Sequence, residues 1–180
     1  GEVRRRALAA MPQALRDAAP ALYEANEADV AAAREAGTGG PLLARLRVTP
    51  KVFDYMCARL GEVAALPDPV GRVLEGHTRP NGLQVSKISV PLGVIGIIYE
   101  SRPNVTTDAA AVCLKSGNAV ILRGGSEALR TNRVLAGAMA DTGVRSTMDG
   151  KVSGQLELAF PWDTNLLQQV VQEGTATRAK

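Results

Sequence analysis

Apolar residues recur along the first part of the chain at spacings of three and four: Leu8, Met11 and Leu15, then Leu22, Ala25, Val30 and Ala33. That period predicts two amphipathic helices within residues 3–37, broken near Pro20, because a proline ring disrupts a helix interior but suits a first turn. Thr38, Gly39, Gly40 and Pro41 read as a turn. Thr49-Pro50 offers a side-chain cap followed by a first-turn proline, so a third helix runs through Phe53, Met56 and Leu60 and stops before Pro67-Asp68-Pro69. The period then falls to two. Leu83, Val85, Ile88 and Val90 alternate loosely with polar residues, and Pro80-Asn81-Gly82 separates them from the run 72–79. An Asn-Gly supplies the positive φ angles of a tight connection, which predicts a β-hairpin.

The run GVIGIIY at 93–99 is apolar at successive positions, as a strand covered by helices on both sides should be. Residues 105–114 read as a helix opened by Asn104, Ser116-Gly117-Asn118 as its stop, 119–122 as a second buried strand, and 127–140 as a further helix. Strand, helix, strand, helix within about fifty residues implies a parallel sheet with crossover connections. The fold class is α/β: N-terminal helices (1–70), then a β-hairpin and a Rossmann-like parallel βαβα unit (71–142). After Thr142 the pattern changes into a divergent tail (143–180): 143–154 is polar and turn-rich, 155–160 alternates like a strand, and 164–172 reads as a short helix.

A chain of 180 residues, 46% hydrophobic, can bury a sizeable core. Its net charge is only +3, and basic residues alternate with acidic ones apart from Arg4-Arg5-Arg6, which argues against a nucleic-acid partner. Two cysteines, Cys57 and Cys113, and one histidine, His77, offer neither a disulfide framework nor zinc-ligand spacing, so no metal site is expected. Both thiols fall on apolar helical stretches and read as small buried hydrophobes. His77 reads as a loop side chain, and Trp162 as a packing residue. The apolar run 90–99 is too short to span a bilayer and no apolar signal core opens the chain, which points to the cytoplasm.

Chemistry concentrates where strands run into helices, since ligands of open parallel sheets bind beyond the carboxyl ends of strands. Glu100-Ser101-Arg102-Pro103-Asn104 follows the first strand. Asn104 can donate its amide to an oxyanion near a helix N-terminus or merely cap that helix. Arg102 can fork onto a phosphate or carboxylate or stand in solvent. Arg123-Gly124-Gly125-Ser126-Glu127 follows the second strand. Its glycines can admit a phosphate to the backbone, or serve a turn that needs positive φ, and Ser126 can cap a helix or bond a ribose or phosphate oxygen. The spacing is neither GxGxxG nor Walker A.

The segment VPLGVIGIIYESRPNVTTDAAAVCLKSGNAVILRGGSEALRTNRVLAGAM, with YEANEADVAAAREAG, LRVTPKVFDYMCARLGEVAALPDPVGRVLEG and RPNGLQVSKI upstream, resembles the γ-glutamyl phosphate reductase (glutamate-5-semialdehyde dehydrogenase) family of the aldehyde dehydrogenase superfamily. The resemblance covers roughly residues 20–142. It implies an incomplete aldehyde dehydrogenase-like fold and an oxidoreductase of proline biosynthesis, one that reduces L-glutamate 5-phosphate with NADPH to L-glutamate 5-semialdehyde and phosphate. In that family a cysteine attacks the acyl phosphate and hydride then converts the thioester to the aldehyde. Carried across by motif, Asn104 would be the oxyanion donor, Arg123, Gly124, Ser126 and Glu127 would line the cofactor's adenosine end, and Arg102 would meet the substrate's phosphate or carboxylate. Neither thiol here occupies the family's nucleophile motif, and the tail does not resemble the family's continuation, so the chain alone is not expected to complete the reaction. A homo-oligomer is left open, as are two other readings: a noncatalytic interaction module, and another aldehyde dehydrogenase with a different substrate.

Overall fold

The computed structural model describes residues 1–142, 145–147 and 155–159. Four helices come first: α1 (Glu2–Asp17), α2 (Ala19–Glu35), α3 (Gly40–Leu46) and α4 (Pro50–Ala65). The break expected near Pro20 is present, with Pro20 in the first turn of α2, where its missing N–H costs no intrahelical bond. Thr49 caps α4, its hydroxyl accepting from the Val52 N–H at 3.2 Å. Helix α3 departs from the expected turn at 38–41. Seven residues are too few for a period to show, and packing sustains them: Leu43 and Leu46 close over Val30, Ala33 and Ala128.

Strands β1 (Val73–Thr78) and β2 (Gln84–Ile88) pair antiparallel as the predicted hairpin. The connection differs in detail. Only Gly82 takes positive φ (+84°), and its N–H donates to the Arg79 carbonyl at 2.9 Å while the Arg79 N–H donates to Leu83 at 2.8 Å. Pro80 fixes a negative φ just after Arg79, so the loop is a three-residue turn closed by a left-handed glycine rather than a two-residue Asn-Gly turn.

The alternating unit follows: β3 (Val94–Ile98), α5 (Pro103–Lys115), β4 (Ala119–Arg123), a 3-10 turn (Ser126–Ala128) and α6 (Leu129–Ala140). Strands β3 and β4 are parallel, in register from Val94↔Ala119 to Ile98↔Arg123. Gly117 (φ +77°) ends α5, and the Asn118 side chain accepts from the Gly93 N–H at 2.9 Å, tying the starts of both strands together. Helix α5 begins at Pro103, two residues before the expected start, and α6 begins at Leu129, two residues after. Beyond Thr142, β5 (Arg145–Thr147) and β6 (Gln155–Ala159) complete a sheet of order β3-β4-β6-β5, with β6 antiparallel to β4. The alternation read at 155–160 thus yields a strand, while β5 falls in the stretch expected to be turns. The readings of Trp162 and of a helix at 164–172 lie outside the described residues.

One face of β3 and β4, with Ile95, Ile97, Val120 and Leu122, packs on α5 and α6 through Ala110, Leu114, Leu135 and Met139. Helices α1 and α4 add Leu8, Met11, Leu15, Met56 and Leu60 to the same cluster, so the N-terminal helices and the βαβα unit share one core. The expectation of cover on both faces of β3 is corrected: Gly96 is exposed and Ile98 is 78% exposed on the opposite face. An apolar pattern records which faces need cover, and the described helices supply it for one of them.

Candidate functional site

Parallel pairing as far as Ile98↔Arg123 forces the segments after β3 and β4 to leave the sheet side by side. The Tyr99 N–H extends the ladder by donating to the Arg123 carbonyl at 3.0 Å. Beyond it the loops are joined directly, because the Ser101 hydroxyl donates to Glu127 Oε2 at 2.6 Å. That bond is the main reason the Glu127 carboxyl titrates below the usual glutamate range, and it leaves the group an ionised acceptor at neutral pH.

The two glycines between these loops serve close approach. Neither has positive φ, which corrects the reading of a turn that needs it. A Cβ at Gly124 would stand 2.5 Å from Asn132 Nδ2 and 3.1 Å from the Tyr99 ring, and one at Gly125 would collide with the Ser101 hydroxyl. Any side chain at either position would push the loops apart.

Asn104 is the second residue of α5. Arg102 occupies the capping position with no side-chain bond, so Asn104 does not cap the helix. Its Nδ2 donates to Asp108 Oδ2 at 3.4 Å, a long contact from a group with two protons to give. Burial pushes the Asp108 carboxyl up, opposed by the Asn104 bond and by the Arg59 charge. Arg123 ends β4 exposed, and the alternation that buries Val120 and Leu122 turns it to the outer face. It forms no ion pair among the described residues. Arg102 is exposed, with Nε 3.4 Å from Glu100 Oε2, and Arg45 Nη1 shares that oxygen at 3.0 Å. Ser126 is exposed and makes no capping bond. The fold thus brings Gly124, Gly125 and Glu127 against Tyr99 and Ser101. No hydrogen bond joins Asn104 to Arg123 among the described residues.

Behind the glycines lies a buried polar chain: Tyr99 OH contacts Thr106 Oγ1 at 2.6 Å, and Thr106 Oγ1 donates to Asn132 Oδ1 at 2.9 Å. It links the end of β3, the first turn of α5 and the first turn of α6. In the same turn of α6, the buried Asp29 of α2 accepts from the Thr131 N–H and hydroxyl, both at 2.8 Å, and Asn26 donates to Thr131 Oγ1 at 3.2 Å. The motif reading passed over these residues, although a signal exists. Thr106, Asn132, Asn26 and Asp29 interrupt apolar helical stripes, and a polar residue on a buried face must find a partner.

Both thiols are buried and burial raises their pKa, so neither is a ready nucleophile. His77 stands exposed on β1, paired with Val85, rather than in a loop. A cavity of about 620 Å³ beside α2 is lined by Tyr23, Asn26, Arg34, Arg47 and Thr49, and none of the residues lining it belongs to the two loops. No described helix is long and apolar enough to cross a membrane.

No protein-family model matches the chain. Gamma-glutamyl phosphate reductase of Xanthomonas campestris pv. campestris (strain 8004) is 56% identical over 132 residues, 73% of this chain and 32% of the relative. The enzyme of that name from Moorella thermoacetica is 51% identical over 152 residues, 84% of this chain and 36% of the relative. The chain is a homologue of part of gamma-glutamyl phosphate reductase. Solved structures agree. The crystal structure of gamma-glutamyl phosphate reductase from Thermotoga maritima superposes with a TM-score of 0.76 at 40% identity, over 78% of this chain and 34% of that one. The Saccharomyces cerevisiae enzyme gives 0.75 at 39%, over 78% of this chain and 36% of that one. The chain therefore spans about a third of the length of the gamma-glutamyl phosphate reductases it matches.

Proposed function

We propose that this chain carries the cofactor loop and oxyanion donor of an NADPH-dependent reductase that converts L-glutamate 5-phosphate to L-glutamate 5-semialdehyde and phosphate in the cytoplasm. The observation that carries the reading is the pair of parallel strand ends locked by Ser101–Glu127, within a segment at least half identical to gamma-glutamyl phosphate reductases. The residues suit a nucleotide: Arg123 is an exposed cation at the strand end, Glu127 is an ionised acceptor for ribose hydroxyls, and the glycines keep the approach narrow. The cofactor, when bound, supplies hydride. Arg123 and Glu127 hold its adenosine end, and Arg123 favours the extra phosphate of NADPH.

Asn104 stabilises the oxyanion that develops on the acyl carbon, with the N-terminal end of α5 adding partial positive charge. Its long bond to Asp108 is readily exchanged for a stronger one to an anion. Arg102 offers its guanidinium to the substrate's phosphate or carboxylate, which displaces the exposed and weak pairing with Glu100. The thiol step belongs to no cysteine of this chain, since both are buried with raised pKa.

Binding of NADPH by the chain tests the reading. We expect nucleotide fluorescence to saturate, and Arg123→Ala to weaken the complex about tenfold, the worth of a charge-assisted hydrogen bond. Undiminished binding by Arg123→Ala would remove that residue from the site. Turnover of glutamate 5-phosphate by this chain, abolished by Cys113→Ala, would overturn the assignment of the thiols.

A second reading, a noncatalytic assembly module, is favoured by one feature. Leu74, Leu83, Ile88, Val90 and Leu92 stand at least half exposed on and beside the hairpin. Concentration-dependent sedimentation with no nucleotide binding would select it.

A further inference from the structure

The polar chain behind the glycine turn has a direction fixed by counting protons. A threonine hydroxyl carries one proton, and Thr106 gives its own to Asn132 Oδ1, so the bond between Tyr99 and Thr106 must use the tyrosine proton. Protons therefore point from Tyr99 to Thr106 to Asn132, and the Asn132 amide is turned with its oxygen inward and Nδ2 toward Gly124. Asn132 is only 8% exposed, yet Nδ2 donates to no group among the described residues. Among the described residues the one fully buried side-chain atom without a partner is Arg4 Nη1, so Nδ2 is no sealed orphan but a donor that the turn leaves open. A Cβ at position 124 would stand 2.5 Å from this nitrogen, so the glycine is what keeps the donor uncovered.

We propose that Asn132 Nδ2 donates a hydrogen bond to an acceptor oxygen of the nucleotide seated on the Gly124–Gly125 turn. The assignment rests on the cofactor reading above and extends it to a residue of α6 outside both loop motifs. Polarisation along the chain from Tyr99 strengthens the donor.

Asn132→Asp separates this role from a structural one. Aspartate keeps the size and the acceptor for Thr106 but replaces the outward donor with an acceptor. We expect NADPH affinity to fall about tenfold or more, as for a lost hydrogen bond to a charged group, with the melting temperature near that of the parent chain. If Asn132 only props the helix, Asn132→Asp binds NADPH like the parent while Asn132→Ala unfolds early, and the proposal fails.

Should neither variant fold, the parent chain still decides. The side-chain ¹⁵NH₂ resonance of Asn132 must shift during an NADPH titration. A static Asn132 signal beside moving Gly124 and Gly125 amides overturns the assignment. Weakened binding by Arg123→Ala with normal binding by Asn132→Asp sinks Asn132 alone, whereas absence of NADPH binding by the parent chain sinks the cofactor reading and this contact with it.

Discussion

Asp29→Ala should destabilise the chain far more than its single ion pair suggests. Ala128 precedes α6 and has no side chain to cap it, so the carboxylate of Asp29, reaching over from α2, accepts from the Thr131 N–H and hydroxyl at 2.8 Å. Arg130 adds its backbone N–H at 3.4 Å and Nη1 at 3.1 Å. The first N–H groups of a helix have no partner within it, and losing a cap costs about 1 kcal/mol. Thr131 is fully buried, so its orphaned groups add about 1–3 kcal/mol. A loss of about 3 kcal/mol follows, which for a chain of this size lowers Tm by roughly 6–12 °C. Urea unfolding followed by far-UV circular dichroism measures the loss directly if the slope is unchanged. Arg130→Ala is the control, because that side chain is 58% exposed and its pairing contributes at most about 1 kcal/mol. If Asp29→Ala costs no more than Arg130→Ala, the tertiary cap does not hold α6.

Thiol reactivity offers a second check: Cys57 and Cys113 should react with Ellman's reagent only at the rate of unfolding, since burial disfavours both thiolates. A fast native-state reaction at Cys113 would contradict its packing. Asp108→Asn should stabilise the chain at neutral pH. Burial raises the Asp108 pKa in the folded state, so this group favours folding below its unfolded pKa and that contribution is lost as pH rises through the folded value. The advantage of the variant should therefore shrink as pH is lowered through the ordinary aspartate range, and a gap independent of pH would refute the assignment.

The linear sequence determined the elements whose cause is local. Thr49-Pro50 starts α4 and Pro20 opens α2 because a cap and a ring act on adjacent backbone. The period of two, and the apolar runs at 93–99 and 119–122, specified a hairpin and two strands without reference to anything distant. The motifs at the strand ends were legible for the same reason, since they sit where strand pattern gives way to helix pattern. Their mutual position was not. Only the parallel register of β3 and β4 sets Ser101 beside Glu127, and only that closeness gives Gly124 and Gly125 a reason unrelated to φ. Asn104 looked able to cap α5 because its residue type does so elsewhere, but Pro103 already occupies the first helical position and moves Asn104 inside. The caps and buried polar partners of α6 come from α2 and α5, more than twenty residues away in sequence, and pairings at such separation are decided by packing, which no local pattern encodes.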